Sequence, residues 1–246
     1  MVAIMCSWKI CLLSFCLLFE LIKSSSNYDI KRCRKNDEIC MIESASHFLK
    51  YISGGIPSLN IKSIDPIIAN DFEGDSARLT YKFTNNSITG FARCDFNHIK
   101  LNLDLSTLLF DIKCPSLIIQ GHYEVAGELV NLPLKRNGTY KVTTGLYFIN
   151  FNTMIEKILG KDGKHHLAIQ KHVVSGQPKE PIDFAFYRFT PDAVSSRQAL
   201  VHFDQDRYKE LHVLTRDAYR AAVFGPLFTY VNRFLATIPY DELFMD

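Results

Sequence analysis

From Leu79 to Thr144 apolar and polar side chains alternate one for one, in stretch after stretch. Leu79, Tyr81 and Phe83 share one parity until Asn85-Asn86 interrupts them. Ile99, Leu101, Leu103 and Leu105 alternate with Lys100, Asn102 and Asp104; Leu108, Phe110 and Ile112 follow, then Leu117, Ile119, Gly121, Tyr123 and Val125. A period of two gives each strand one apolar face, as in a half-buried antiparallel sheet. Val130, Leu132 and Leu134 lead to Asn137-Gly138, which predicts a two-residue hairpin turn with positive φ, and Tyr140, Val142 and Thr144 climb back from it. Asp162-Gly163 predicts a second turn, between strands over 151–159 and 167–174. Residues 183–189 and 198–203 add short strands.

Two segments change period. From Asp37 to Ser53, Ile39, Ile42, Ala45, Phe48/Leu49 and Ile52 recur every three or four residues, the stripe of an amphipathic helix. Asn36 or Asp37 caps its start, and Gly54-Gly55 with Pro57 stops it. Prolines then favour an extended apolar connector through Ile68. From about Asp206 to Thr237 a second helical stripe runs through Leu211, Leu214, Ala218, Ala222, Phe228, Val231 and Leu235, and Ile238 continues it. Gly225-Pro226 is expected to kink or break this helix, because proline lacks the donor and clashes with the preceding turn. The class is therefore α+β. Alternation alone fits a sheet that wraps the long helix and a flat sheet covered by helices equally well.

The apolar run Ile10–Phe19 follows Lys9 and is too short to cross a bilayer of about 30 Å as a helix. It matches the core of a secretory signal over residues 1–26, with Ser24, Ser25 and Ser26 at the cleavage site, leaving 27–246 as one secreted domain. No later stretch is long and apolar enough to span, so stable membrane insertion is not expected. The 28 basic and 26 acidic residues leave a net charge of +2, no electrostatic footprint for nucleic acid.

Cys6, Cys11 and Cys16 fall in the signal, which leaves Cys33, Cys40, Cys94 and Cys114. An even count in a secreted chain favours disulfides. Cys33 and Cys40 enclose a short loop suited to a bridge. Cys94 and Cys114 flank a strand–turn–strand stretch. With the turn centred at Leu105-Ser106 the pair is offset by about three residues, roughly 10 Å, so a second bridge needs a bulge or a shifted turn. No close Cys-x-x-Cys pair supports a zinc site instead. Asn85 and Asn137 each head a glycosylation sequon. The sequence has no Gly-x-Ser-x-Gly elbow, phosphate-binding loop or dinucleotide fingerprint, and its eight histidines are scattered and read as solvated. Neither an enzyme nor a cofactor is expected.

An ordered set of short motifs adds to this. After the signal come Cys33-x6-Cys40, a helix, Gly55-Ile56-Pro57-Ser58-Leu59 and Ile64-Asp65-Pro66. Next come Cys114-Pro115-Ser116-Leu117, Gly121-His122-Tyr123-Glu124-Val125-Ala126-Gly127, Leu132-Pro133-Leu134, Asn137-Gly138 and Lys161-Asp162-Gly163-Lys164. Val231-Asn232-Arg233-Phe234 and Ile238-Pro239-Tyr240-Asp241-Glu242-Leu243-Phe244 complete it. In these motifs and their order the chain resembles the insect takeout / haemolymph juvenile-hormone-binding protein family over nearly all of its mature length. It departs from the family pattern after Val201-His202-Phe203, where it reads Asp204-Gln205-Asp206-Arg207-Tyr208.

The resemblance implies a long C-terminal helix wrapped by a highly curved antiparallel β-sheet, the tubular lipid-binding fold of bactericidal/permeability-increasing proteins, with one short N-terminal helix. It also implies an internal tunnel for a small hydrophobic ligand such as a terpenoid hormone, a fatty acid or another lipid. The expected lining is Tyr81, Phe83, Leu101, Leu103, Phe110, Ile119, Tyr123, Val142, Phe148, Phe228 and Val231. Tyr123 would offer its hydroxyl to a ligand oxygen, unless its ring is simply buried with the hydroxyl at the surface. The rival reading keeps the fold, fills the tunnel with side chains and acts on a cell-surface receptor or other protein through its exterior.

Overall fold

The computed structural model describes residues 30–76, 78–129, 131–188, 200–201 and 205–245. The signal expected over 1–26, and residues 198, 199, 202 and 203 of the last expected strand, lie outside the described residues. The unit Lys31–Asp246 begins with β1 (Cys33–Arg34), which pairs in parallel with β13 (Phe244–Met245) and ties the two ends together. Helix α1 (Glu38–Ile52) follows, started by Asp37, whose carboxylate accepts the Cys40 N–H at 3.0 Å. Its apolar stripe meets β5 (Asp95–Asn102), but Ile39 is left 72% exposed while Cys40, Met41, Leu49 and Ile52 are buried. The expected stripe holds at Leu49 and Ile52, which are buried, and at Ile42 and Ala45, which pack against the cluster of Cys33, Cys40, Met41 and Ile99; only at the helix start does the bridged Cys40 face inward in place of Ile39.

Two antiparallel sheets carry the rest. The larger is seven-stranded and holds β2 (Ile67–Ile68), β3 (Phe72–Asp75), β4 (Leu79–Thr89), β7 (Ile118–Leu129), β8 (Leu132–Thr144), β11 (Ile182–Arg188) and β12 (Leu200–Val201). The smaller, in order, is β10 (His165–Pro178), β9 (Tyr147–Leu159), β6 (Thr107–Cys114) and β5 (Asp95–Asn102). After passing to the smaller sheet at 90–94 and back at 115–117, the chain makes two further crossings, at Gly145-Leu146 and at 179–181. The crossings are held side by side: Lys179 N–H donates to the Leu146 carbonyl at 2.9 Å, and Leu146 N–H donates to the Glu180 carboxylate at 3.0 Å. Helix α2 (Gln205–Leu235) packs against β10 of one sheet and β3 and β7 of the other, and α3 (Tyr240–Leu243) closes the chain.

Asn137-Gly138 is not a turn. The strand β8 runs straight through it, with Asn137 opposite Glu124 and Gly138 opposite Tyr123. The chain reverses instead between Leu129 and Leu132, which pair, with Asn131 at φ 57°. Parity explains this. A two-residue turn at 137–138 sets Leu134 opposite Lys141 on one face, whereas an unbroken strand keeps Tyr140, Val142 and Thr144 in phase. Asn85-Asn86 interrupts β4 only as a bulge, with Asn85 at φ 54° and the register slipping between Thr84 and Ser87. Leu105 is not on the inward face either: β5 ends at Asn102, and Leu105 lies in the turn, 69% exposed.

The second disulfide forms, with Cys94 and Cys114 Cα atoms 4.2 Å apart. Asn102 faces Thr107, so the turn centres one residue earlier than expected and the register moves by two. A bulge between Phe96 and His98 moves it by one more, and Asp95 then faces Lys113. Together these remove the offset of about three residues.

Pro226 neither breaks nor ends α2, which continues from Gln205 to Leu235. The carbonyl it leaves without an intrahelical donor is that of Ala222, and the Asn70 N–H donates to that oxygen at 3.1 Å. Thr229 Oγ1 donates to the neighbouring Gly225 carbonyl at 3.0 Å.

Candidate functional site

Between the two sheets and α2 lies a cavity of about 150 Å³. Strand parity builds most of its wall. Phe83 and Ile88 of β4, Ile119 of β7, Tyr140, Val142 and Thr144 of β8, and Ile182, Phe184 and Phe186 of β11 face it from the larger sheet. Tyr147 and Ile149 of β9 and Val174 and Gly176 of β10 face it from the smaller. Helix α2 contributes Thr215, Arg216, Tyr219, Arg220, Val223 and Phe224, a contiguous stripe at three- and four-residue spacing. A cavity of about this volume takes a benzene-sized guest.

The polar groups of the sheet wall are mostly spent on the fold. Tyr140 Oη donates to Asn86 Oδ1 at 2.7 Å, and Asn86 Nδ2 donates to the Phe83 and Asn70 carbonyls at 3.1 and 3.2 Å, which pins the β4 bulge. Burial pushes the Tyr140 phenol far above its ordinary pKa, so it stays a neutral donor. Thr144 Oγ1 accepts the Leu117 N–H at 2.9 Å. Tyr147 is packed so tightly on Gly176 that a Cβ there would lie 2.0 Å from its hydroxyl. Burial raises the Tyr147 pKa, and the nearby Arg220 charge opposes the rise. Arg216 Nε and Arg220 Nη1 lie 3.5 and 3.6 Å from one oxygen of Asp217.

Of the eleven residues expected to line a tunnel, Phe83, Ile119 and Val142 lie in this wall. Tyr81 and Tyr123 belong to the aromatic cluster beside it: Tyr81 Oη donates to the Leu214 carbonyl at 3.2 Å, and the Tyr123 ring meets Phe186 edge-on at 5.1 Å. Leu101 and Phe110 pack under α1, with Phe110 stacked on Phe151 at 4.6 Å. Leu103 is half-buried in the β5–β6 turn, and Phe148 is half-buried with the Lys179 ammonium 5.6 Å from its ring centre. Phe228 is buried against Phe151 and His172, and Val231 is half-buried on α2. The wall residues not foreseen include Thr144, Tyr147, Gly176, Arg216 and Arg220. The arginines, one helical turn apart, share their stripe with Val223, and that spacing was the available signal.

Asn85 of β4 and Asn137 of β8 are both exposed, on two strands of the larger sheet with β7 between them. One histidine is not solvated as expected. His166 is buried, with Nε2 3.0 Å from Asp162 Oδ1 and Nδ1 3.3 Å from the Leu235 carbonyl. His172 stays exposed and stacks on Phe228 at 3.9 Å, where partial burial lowers its pKa.

The family model for haemolymph juvenile hormone binding protein matches residues 10–245. The chain belongs to that family. Among curated relatives it is 23% identical over 233 residues to the circadian clock-controlled protein daywake of Drosophila melanogaster, covering 87% of this chain and 86% of that protein. Among solved structures it is similar to Takeout 1 of Epiphyas postvittana, with a TM-score of 0.78 at 20% identity, over 88% of this chain and all of that one. The fold is thus takeout-like: mostly antiparallel sheet with a long C-terminal helix. A likeness to lipopolysaccharide binding protein, at a TM-score of 0.38, carries no argument about wider kinship. The family's name is that of a binding protein, and among the described residues no helix is long and apolar enough to cross a membrane.

Proposed function

We propose that the mature chain is a secreted carrier that takes a small hydrophobic ligand, a terpenoid or another lipid, into the cavity between its sheets and α2. The observation that carries this is the wall itself: aromatic and aliphatic side chains from two sheets and one helix converge on a common space. Membership of a juvenile-hormone-binding family supports it. In this reading the sheets curl around α2 as a tube, the signal over 1–26 is removed, and Asn85 and Asn137 carry glycans. The chain acts by binding, without a cofactor and without turnover. Its buried histidine serves the fold, since His166 faces Asp162 and a carbonyl.

Burying a fifteen-carbon chain gains on the order of 12 kcal/mol gross at about 0.8 kcal/mol per carbon. Association costs on the order of 4 kcal/mol or more, which leaves at most about 8 kcal/mol, or micromolar affinity. A cavity of about 150 Å³ is filled by a benzene-sized guest, so such a ligand must displace lining side chains or extend beyond the wall.

One observation favours a second reading, a protein-binding module of the same fold. Tyr81, Phe83, Tyr123, Tyr140 and Phe186 already fill much of the inner face of the larger sheet. Native mass spectrometry of the secreted protein separates the two. A carrier leaves the cell with an apolar passenger or takes up one farnesyl- or fatty-acid-sized molecule per chain. A chain that takes up no terpenoid, fatty acid or quinone is the protein-binding module.

A further inference from the structure

The charged groups that line the cavity are of one sign. Arg216 and Arg220 stand in its wall on adjacent turns of α2, and among the described residues no aspartate or glutamate lines it. Asp217 lies beside both guanidinium groups, but it is 81% exposed and outside the wall, and one carboxylate balances only one of two cations. Both contacts, at 3.5 and 3.6 Å, are longer than a charge-assisted hydrogen bond of about 2.7–2.9 Å, so donors remain on each fork. The Arg220 side chain is 33% exposed and the Arg216 side chain 47%, so the cations stand where the cavity meets solvent. The opposite wall, Ile119, Val142 and Ile149, is aliphatic.

We infer that the ligand is an amphipathic acid, its tail against the aliphatic strands and its carboxylate held by the Arg220 guanidinium with Arg216 beside it. The inference rests on the carrier reading and adds the chemical class of the guest. A planar guanidinium pairs with a carboxylate through two parallel hydrogen bonds, which an ester cannot match, since it carries no charge. The one-sided charge also draws an anion toward the cavity before contact.

Equilibrium dialysis against dodecanoic acid and its methyl ester, near neutral pH, tests the assignment on the unaltered glycosylated protein. The expected result is that both bind and the acid binds at least about tenfold tighter. Arg220→Gln, alone or with Arg216→Gln, is expected to reduce the acid to the ester's affinity and to leave the ester unchanged. Equal binding of acid and ester by the unaltered protein overturns the inference and leaves the carrier reading standing. So does an acid preference that both substitutions leave intact in variants whose thermal midpoint is unchanged. Binding of neither probe overturns the carrier reading, and the inference with it.

Discussion

Asn232 does at one position what a neighbouring strand would do along a whole edge. Strand β10 is the outer strand of the smaller sheet, so its outward backbone groups need partners from elsewhere. The Asn232 side chain accepts the Ile169 N–H at 2.8 Å and donates to the Ile169 carbonyl at 2.9 Å, where the β10 register slips between Ile169 and Lys171. Asn232→Leu keeps the branched shape of the side chain and removes both bonds. It is expected to lower the unfolding free energy by about 1–3 kcal/mol, seen as a lower urea midpoint with an unchanged slope. A few residues away, both His166 nitrogens face groups that accept, Asp162 and the Leu235 carbonyl, so a ring carrying both protons makes both bonds. The hydrogen bond from His166 comes first, and the Lys164 N–H second, in holding the Asp162 carboxyl below its usual pKa. A carboxyl depressed in the folded state adds stability above its unfolded pKa and loses it as pH falls through the folded one. Asp162→Asn should therefore melt earlier than the unaltered protein at neutral pH, and the gap should close as pH falls below about 4. A gap that does not change with pH would show that the carboxylate charge is not what the histidine uses.

At the scale of elements, what the chain reveals about itself depends on how far away the deciding partner lies. The start of α1 was legible because its cap, Asp37, is three residues from the N–H it accepts. The course of α2 past Pro226 was not, because the donor that repairs the Ala222 carbonyl is Asn70, on the far side of the sequence. Since that carbonyl is already satisfied, Pro226→Ala should change stability by less than about 1 kcal/mol, well short of the ~3 kcal/mol an unrelieved helix proline costs. A gain of the full amount in a urea titration would mean that the Asn70 bond relieves nothing. The hairpin of β5 and β6 shows the same limit. Its alternation was readable, but a turn centred one residue earlier and a single bulge decide whether Cys94 meets Cys114. Alternation specifies a face and leaves the register to the turn. Removing that bridge with Cys94→Ser and Cys114→Ser together should cost about 3 kcal/mol in the chain-entropy picture, to be read from the urea midpoint of the oxidised double variant.

For the whole molecule, the strand pattern told which side chains face inward but not which interior they face. Phe83, Ile119 and Val142 meet at the cavity, whereas Leu101 and Phe110, equally regular in sequence, pack beneath α1. The difference lies in the partition of strands between two sheets, where the chain leaves the larger sheet at 90–94 and rejoins it at 115–117, which no local period encodes. The arginines of α2 escaped notice for the opposite reason: an inward search for apolar residues passes over the charges that end an apolar space. Whether that space is a binding site or an incompletely filled core can be decided by filling it. Val142→Phe adds an aromatic ring within the wall, and a cavity-filling change of this kind commonly adds about 0.5–2 kcal/mol of stability. In a domain of this size that is a rise in melting temperature of a few degrees, about 2–4 °C per kcal/mol. If the cavity holds the guest, Val142→Phe should melt no earlier than the unaltered protein while its uptake of dodecanoic acid falls at least about tenfold. Val231→Phe, which adds the same ring outside the wall, should leave uptake unchanged. Uptake that survives Val142→Phe and falls with Val231→Phe would move the guest out of this cavity and toward the aromatic faces of Phe228 and Phe151.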